Sequence, residues 1–246
     1  MIALRRANQR HYDPRRKQEI WLTFDRRNRA DPFADGFGNL ESLSEKRLPP
    51  GTSALRHPHH NAETVTYVRE GALAYEDSTG RSGVLLAGEF QCLTSGRGIR
   101  RSETNASRTS GLQVFQVELS SSGAELESGE EQKRFSTAER RGELCVIASP
   151  DARRGSLPIH QDALMYSALL NAGQHVIHEI SQGRSVWLHL VQGEATFANV
   201  VLTTGDGVGV RAESAMSLTA REETEILLFD LGEQSPRSGK KKVRDS

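Results

Sequence analysis

His57-Pro58-His59-His60-Asn61-Ala62-Glu63, followed downstream by Arg101-Ser102-Glu103, decides how this chain is read. An extended strand puts alternate side chains on one face, so His57 and His59 point the same way and two imidazoles converge on one spot. His60 faces the opposite way along the same strand. A second strand carrying Arg101 and Glu103 aims a guanidinium and a carboxylate at that spot if it pairs alongside the first. The carboxylate suits a metal ion; the guanidinium stays protonated, has no lone pair and cannot ligate.

Around this constellation, short apolar or alternating runs recur between Gly, Asp, Asn and Ser punctuation: 64–68, 72–75, 83–86, 90–94 and 112–119. That rhythm predicts an all-β fold of sandwich or barrel type. Asp77-Ser78-Thr79-Gly80 is expected to be a hairpin connection, and Gly96-Arg97-Gly98 a tight turn with positive backbone dihedrals. Residues 120–141 are polar and charged, which predicts a surface linker. Strand-like runs then resume from Leu144 to Leu231, and Gln192-Gly193-Glu194 echoes Arg69-Glu70-Gly71 from the first half. The expected division is therefore an N-terminal domain over 1–119, the linker over 120–141, a C-terminal domain over 142–232 and a disordered tail over 233–246. The tail's Lys240 to Arg244 run reads either as a solvated end or as a nuclear signal or nucleic-acid arm.

Composition excludes several classes. Lys plus Arg and Asp plus Glu number 32 each, so no overall field favours nucleic acid or an anionic membrane. No apolar run reaches the length of a membrane span, and the basic N-terminus has no apolar stretch behind it, so a cytoplasmic location is expected. Cys92 and Cys145 sit in strand-like segments and read as reduced, buried thiols. No serine lies in a nucleophile elbow, and Gly96 to Gly98 lacks the lysine and helix of a phosphate loop. His175 and His178 fall on opposite faces of a strand and read as core or surface residues. Trp21 and Phe24 read as packing between elements or as a pocket lining.

Gly51 with His57-x-His59-x-x-x-Glu63, and Gly88 through Gly98 to Arg101 and Asn105, resemble the two sequence motifs of a cupin. The wider pattern resembles the pirin family of two-cupin proteins. It runs from Trp21-Leu22-Thr23-Phe24 through HPHHNAETVTYVREG at His57 to Gly71 and Ala87-Gly88-Glu89-Phe90-Gln91, then Ser149-Pro150-Asp151-Ala152-Arg153 and Leu227-Leu228-Phe229-Asp230-Leu231. The resemblance implies two antiparallel jelly-roll β-sandwich (cupin) domains in tandem. It further implies one divalent metal, Fe(II) first, in the N-terminal cupin, and a metal-free C-terminal cupin packed against it. His57, His59 and Glu103 match three of the family's ligands, and Arg101 stands where the family has a third histidine. Asp25-Arg26 departs from the Ser-Phe pair frequent in the family.

Two functions follow from the resemblance and stay open at the level of sequence. In one, the chain is a metal-dependent oxygenase resembling quercetin 2,3-dioxygenases. His57, His59 and Glu103 then hold the metal as a facial triad, Glu63 is a neighbouring proton acceptor, and Arg101 steadies an anionic flavonoid-like substrate or peroxide. In the other, Arg101 has displaced the metal by pairing with Glu103 or Glu63, and the chain is a catalytically silent binding or regulatory protein with a protein partner. A monomer without membrane or nucleic-acid partners is expected in either case.

Overall fold

The computed structural model describes residues 1–14, 18–59, 62–120 and 126–232, with the backbone alone for 54–59; the tail beginning at 233 lies outside the described residues. Its strands in the first half are β1 (Ile2–Arg5), β2 (His11–Tyr12), β3 (Glu19–Leu22), β4 (Leu40–Leu48), β5 (Ser53–His59), β6 (Ala62–Glu70), β7 (Ala72–Asp77), β8 (Ser82–Leu86), β9 (Glu89–Thr94), β10 (Ile99–Asn105), β11 (Leu112–Ser120) and β12 (Gly129–Arg134). A single helical turn, Thr137–Arg140, leads to β13 (Cys145–Ser149), β14 (Leu157–Pro158), β15 (Ala163–Leu170), β16 (His175–Glu179), β17 (Ser185–Gln192), β18 (Glu194–Phe197), β19 (Val200–Thr203), β20 (Gly207–Arg211), β21 (Ala215–Ala220) and β22 (Thr224–Leu231).

These strands form two jelly-roll sandwiches, each of one seven-stranded and one four-stranded sheet. The N-terminal barrel has orders β12-β9-β6-β11-β4-β3-β2 and β5-β10-β7-β8; the C-terminal barrel has β1-β20-β17-β22-β15-β13-β14 and β16-β21-β18-β19. The inner strands correspond in order, β9-β6-β11-β4 with β20-β17-β22-β15 and β5-β10-β7-β8 with β16-β21-β18-β19, while the flanking strands differ. Gly71 and Gly193 occupy matching turns, after β6 and after β17, with φ of +84° and +98°. A Cβ at either would come within 2.5 Å of the Gly111 carbonyl oxygen or 2.4 Å of the Glu223 carbonyl oxygen, so only glycine fits both turns.

The seven-stranded sheets face each other. Val65, Tyr67, Phe90, Phe115 and Val117 of one meet Met165, Trp187, Leu227 and Phe229 of the other in one apolar seam. Trp187 is fully buried there, ringed by Phe24, Phe33 and Phe37 at centroid distances of 4.8, 5.5 and 5.3 Å. Phe24 is thus packing at the seam, whereas Trp21 is half-buried between Tyr12 and Arg47. The opposite faces of the same strands fill the barrels. The C-terminal interior holds an apolar cluster from Val186, Leu188 and Val208 to Met216, Leu218 and Leu228, with buried Asp230 paired to His178 on the same face of β22.

Two expected boundaries are corrected. The segment 120–141 contains β12, which adds to the edge of β9 in register Gly129↔Thr94 to Arg134↔Glu89. Its edge position solvates one side of the strand, which is why the polar composition disguised it. Past β12, Phe135 and Arg140 are buried, and Arg140 donates to Tyr67, Ser167 and Glu225 at 3.1 Å across the seam. The second correction is β1, placed by sequence in the N-terminal domain: it pairs with β20 of the C-terminal barrel, Ile2↔Val210 to Arg5↔Gly207. Asp77 to Gly80 does form the β7–β8 hairpin, with the Asp77 carboxylate accepting from the Thr79 and Arg81 backbone N–H groups. Cys92 and Cys145 are free thiols, the first buried and the second half-buried. Among the described residues no helix is long and apolar enough to cross a membrane.

His189 on β17 is buried in the seam against the Phe115 ring, with neither ring nitrogen hydrogen-bonded among the described residues. Burial, helped by the charge of Arg10, pulls it from its ordinary 6.5 down to about 3. The folded chain therefore stays unprotonated where the unfolded chain binds a proton, so this residue's contribution to stability is complete above pH 6.5 and is lost as pH falls toward about 3. Urea unfolding is expected to show no such loss between pH 7.5 and 6.5 and then a loss approaching roughly 1.4 kcal/mol per pH unit on going down to pH 4.5, and a His189→Leu variant is expected to lack that component.

Candidate functional site inside the N-terminal barrel

β10 lies between β5 and β7 and buries alternate residues, Ile99, Arg101, Glu103 and Asn105. The turn before it uses Gly96 and Gly98 with φ of +53° and +133°. Against β7 the register is regular, Arg101↔Asp77 and Glu103↔Tyr75. Against β5 it shifts, Arg101↔His57 but Glu103↔Ala54, so the irregularity lies between the two residues of interest and not ahead of them. Arg101 consequently stays aimed inward at 2% exposure.

Inside the barrel Arg101 meets four groups. Its guanidinium carbon lies 3.7 Å from the Tyr75 ring centroid, and Nη2 donates to Gln91 Oε1. Nε is 3.9 Å from Glu103 Oε1, and Nη1 is 3.7 Å from Glu130 Oε2. Glu103 in turn accepts from Gln116 Nε2 at 2.6 Å and stands 3.5 Å from the Lys46 ammonium, which itself donates to Gln116 Oε1. Tyr75 donates its hydroxyl to Glu130 at 2.9 Å. Burial pulls Arg101 below its ordinary pKa while Glu103 and Glu130 push it back up. The result is a buried polar network with two fixed cations, Lys46 and Arg101. Beyond it the barrel is closed by an apolar plug of Leu48, Val68, Leu73, Leu85, Leu112 and Val114.

Of the residues expected at the site, Arg101 and Glu103 are together. The side chains of His57 and His59 lie outside the described residues, as does His60; the backbone register sets His57 opposite Arg101 and His59 opposite Ile99. Glu63 is a correction. It shares the seam face of β6 with Val65 and Tyr67, and both its oxygens accept from the His160 backbone N–H at 2.9 Å, with the His160 ring Nδ1 at 2.7 Å from one of them. Strand parity therefore sends Glu63 to the C-terminal domain and keeps it from pairing with Arg101. His178, for which sequence offered no acidic partner, has Asp230 at 2.8 Å. Sequence reasoning missed Lys46, Gln91, Gln116, Tyr75 and Glu130. The available signal was a polar residue interrupting an apolar strand run, as in LQVFQVEL and EFQCL.

Comparison with known proteins agrees with this architecture. A family model described as Pirin matches residues 11–118, and one described as quercetinase C-terminal cupin domain matches 146–231. A quercetin 2,3-dioxygenase of Escherichia coli is 36% identical over 231 residues, 94% of this chain and 99% of that protein. A pirin-like protein of Caulobacter vibrioides is 33% identical over 205 residues, 81% of this chain and 86% of that one. The crystal structure of the E. coli bacterial pirin YhhW in complex with nickel(II) superposes with a TM-score of 0.88 at 36% identity, covering 95% of this chain and all of that one.

The nickel(II) in that relative sets a fit test for this barrel. Glu103 already serves Gln116 and Lys46, and Arg101 stands next to it. A cation at Glu103 would be opposed by ~4 kcal/mol per unit of its charge for each fixed cation at about 4 Å and an effective dielectric of about 20. Among the described residues, no group of three or more His, Cys, Asp or Glu side chains is placed to hold a metal ion. Of the three residues expected to ligate, only the Glu103 side chain is described, and Lys46 and Arg101 beside it oppose a further cation there.

If Glu103 is held by the two cations, removing its charge leaves them facing each other. A Glu103→Gln substitution is expected to lower unfolding stability by roughly 3–5 kcal/mol. A double-mutant cycle with Lys46→Met should give a coupling of about 1 kcal/mol or more in urea unfolding. Additive effects would show that Lys46 and Glu103 do not interact.

Proposed function

This chain belongs to the pirin family, and on that premise we propose that its N-terminal cupin is a metal-free binding module, with the place of the metal taken by Arg101. The observation that carries the reading is the Arg101 guanidinium, buried to 2% in the barrel between Glu103 and Glu130 and stacked on Tyr75. A guanidinium cannot ligate, and it satisfies by ion pairing the carboxylate that a metal would need. The barrel interior is polar, and the expected role is binding of a small molecule and, through it, of a protein partner. The relatives' flavonoid chemistry suggests an aromatic ligand.

A second reading is favoured by the residues that do remain. His57 and His59 stand on β5 alongside β10, the Glu103 carboxylate is inside the barrel, and a relative covering nearly the whole chain is named quercetin 2,3-dioxygenase. In that reading the chain is a metal-dependent dioxygenase acting on a flavonol, with Fe(II) or nickel(II) as the metal. Arg101 is then the residue that must give way.

One experiment separates the two. The full chain and an Arg101→His variant are loaded with iron(II) or nickel(II), dialysed, and measured for metal by mass spectrometry. The metal-free reading expects wild type to retain far less than one metal per chain and the variant to approach one, because imidazole supplies the lone pair that guanidinium lacks. Stoichiometric metal in wild type, with oxygen uptake on quercetin, would establish the dioxygenase reading instead.

A further inference from the structure

Three carboxylates act on the Arg101 guanidinium, and two of them are committed elsewhere. Glu103 accepts from Gln116 Nε2 and faces the Lys46 ammonium at 3.5 Å, nearer than the 3.9 Å that separates it from Arg101 Nε. Asp77 accepts from the Thr79 hydroxyl and from the backbone N–H groups of Thr79 and Arg81. Glu130 is the third. Among the described residues Arg101 is the one cation within ion-pair distance of it, with Nη1 3.7 Å from Oε2. That oxygen is buried and so is Nη1, and neither has a hydrogen-bond partner among the described residues, so acceptor and donor face each other just beyond hydrogen-bond distance. The charges inside the barrel therefore sort into pairs, Lys46 with Glu103 and Arg101 with Glu130. Tyr75 serves the second pair from both sides. Its hydroxyl donates to Glu130 Oε1 at 2.9 Å, which leaves Oε2 for the arginine, and its ring lies against the guanidinium at 3.7 Å. Burial and the Glu130 carboxylate push the Tyr75 hydroxyl above its ordinary 10, so it stays a donor. Gln91 completes the seat, accepting from Nη2 and hydrogen-bonded to the Tyr75 hydroxyl.

We infer that Glu130 is the positioning residue that fixes Arg101 in the place of the metal, so that the metal-free state belongs to the Arg101–Glu130 pair and not to Arg101 alone. The inference rests on the metal-free reading above. An arginine loses much rotamer freedom when held in one conformation, and its charge is desolvated in the barrel, so it stays inside only where a facing group holds it. Glu103 cannot be that group by itself, because it is two residues away on the same strand and already answers Lys46. Glu130 reaches Arg101 from the other sheet. Arg101 is on β10 of the four-stranded sheet, whereas Gln91 on β9 and Glu130 on β12 belong to the seven-stranded one, so the pair ties the two walls of the barrel together. β12, the edge strand hidden in a segment of linker composition, thereby carries the residue that decides what the barrel can hold. Without that carboxylate the desolvated guanidinium gains more by turning to solvent than by staying.

The test measures how fast phenylglyoxal, an arginine-selective reagent, modifies Arg101 in the full chain, read site by site by fragmentation mass spectrometry. Buried Arg140 and exposed Arg26 in the same digest give the two limits. Wild-type Arg101 is expected to react as slowly as Arg140. Glu130→Gln should speed Arg101 by about tenfold or more, as an easier local opening requires, and leave Arg140 unchanged. Glu130→Asp, which keeps the charge, should restore most of the protection. Tyr75→Phe, which keeps the ring and loses the hydroxyl that aims Glu130, should speed Arg101 in the same sense, and it carries the test if Glu130→Gln fails to fold. Arg101 as protected in the folded variants as in wild type, or Arg101 and Arg140 speeding together, would overturn the inference. Nickel(II) content of the same samples, after loading and dialysis, separates it from the reading beneath it. Wild type that retains no metal while Glu130→Gln leaves Arg101 protected overturns this inference alone. Wild type that retains about one nickel(II) per chain, with Arg101 as reactive as Arg26, overturns both.

Discussion

β22 is buried at every one of its positions, Thr224 to Leu231, and the structure depends on that double burial. Ile226 and Leu228 belong to the C-terminal barrel, while Leu227, Phe229 and Leu231 belong to the seam between barrels. β6, β11 and β17 are divided in the same way. Each central strand therefore serves two cores, and a residue's parity along the strand decides which one it enters. A register slip of one residue would move the seam residues into the barrel and the barrel residues into the seam, so the pairing is specified from both faces at once.

That constraint explains where the polar groups went. On β6, Glu63 has seam parity and meets His160, while Thr64 and Thr66 have barrel parity. On β11, Gln116 has barrel parity and reaches Glu103, whereas Gln113 has seam parity and donates to Glu45. The seam thus carries its own buried polar set, in which Tyr67, Arg69, Arg140 and Ser167 gather around Glu225. Such groups add less net stability than apolar packing would, but breaking one leaves its partner stranded. They favour one alignment of the barrels over any that merely buries the same apolar area.

Much of this was legible in the sequence. Short apolar runs between turn residues marked both β-rich halves, and the spacing of Arg101 and Glu103 placed them correctly on one face. Other features were not. β1 carries no local sign that its partner is β20, on the far side of the chain, because strand pairing at that separation is decided by shape and not by composition. β12 reads as linker because GEEQKR has the polarity of an edge, and an edge strand with one solvated side does not alternate cleanly. Lys46 was hidden for a related reason. In LESLSEKRL it looks like an exposed residue between charged neighbours, and only the sheet shows that Ser44, Lys46 and Leu48 are buried on the same side.

The two barrels share the order of their inner strands and differ in what they enclose. In the C-terminal barrel an apolar cluster fills the interior, and Asp230, on the same face of β22 as Ile226 and Leu228, holds His178 and Arg184 beside it. The N-terminal barrel keeps an apolar plug at one end and gives the other to Lys46, Gln91, Arg101, Glu103 and Gln116. An apolar replacement of this network would relieve its unpaired donors and its desolvated charges together. A metal site draws anionic and neutral lone pairs toward a cation brought from outside. Arg101 is a cation covalently part of the chain and permanently charged, and Glu103 and Glu130 are the carboxylates that face it.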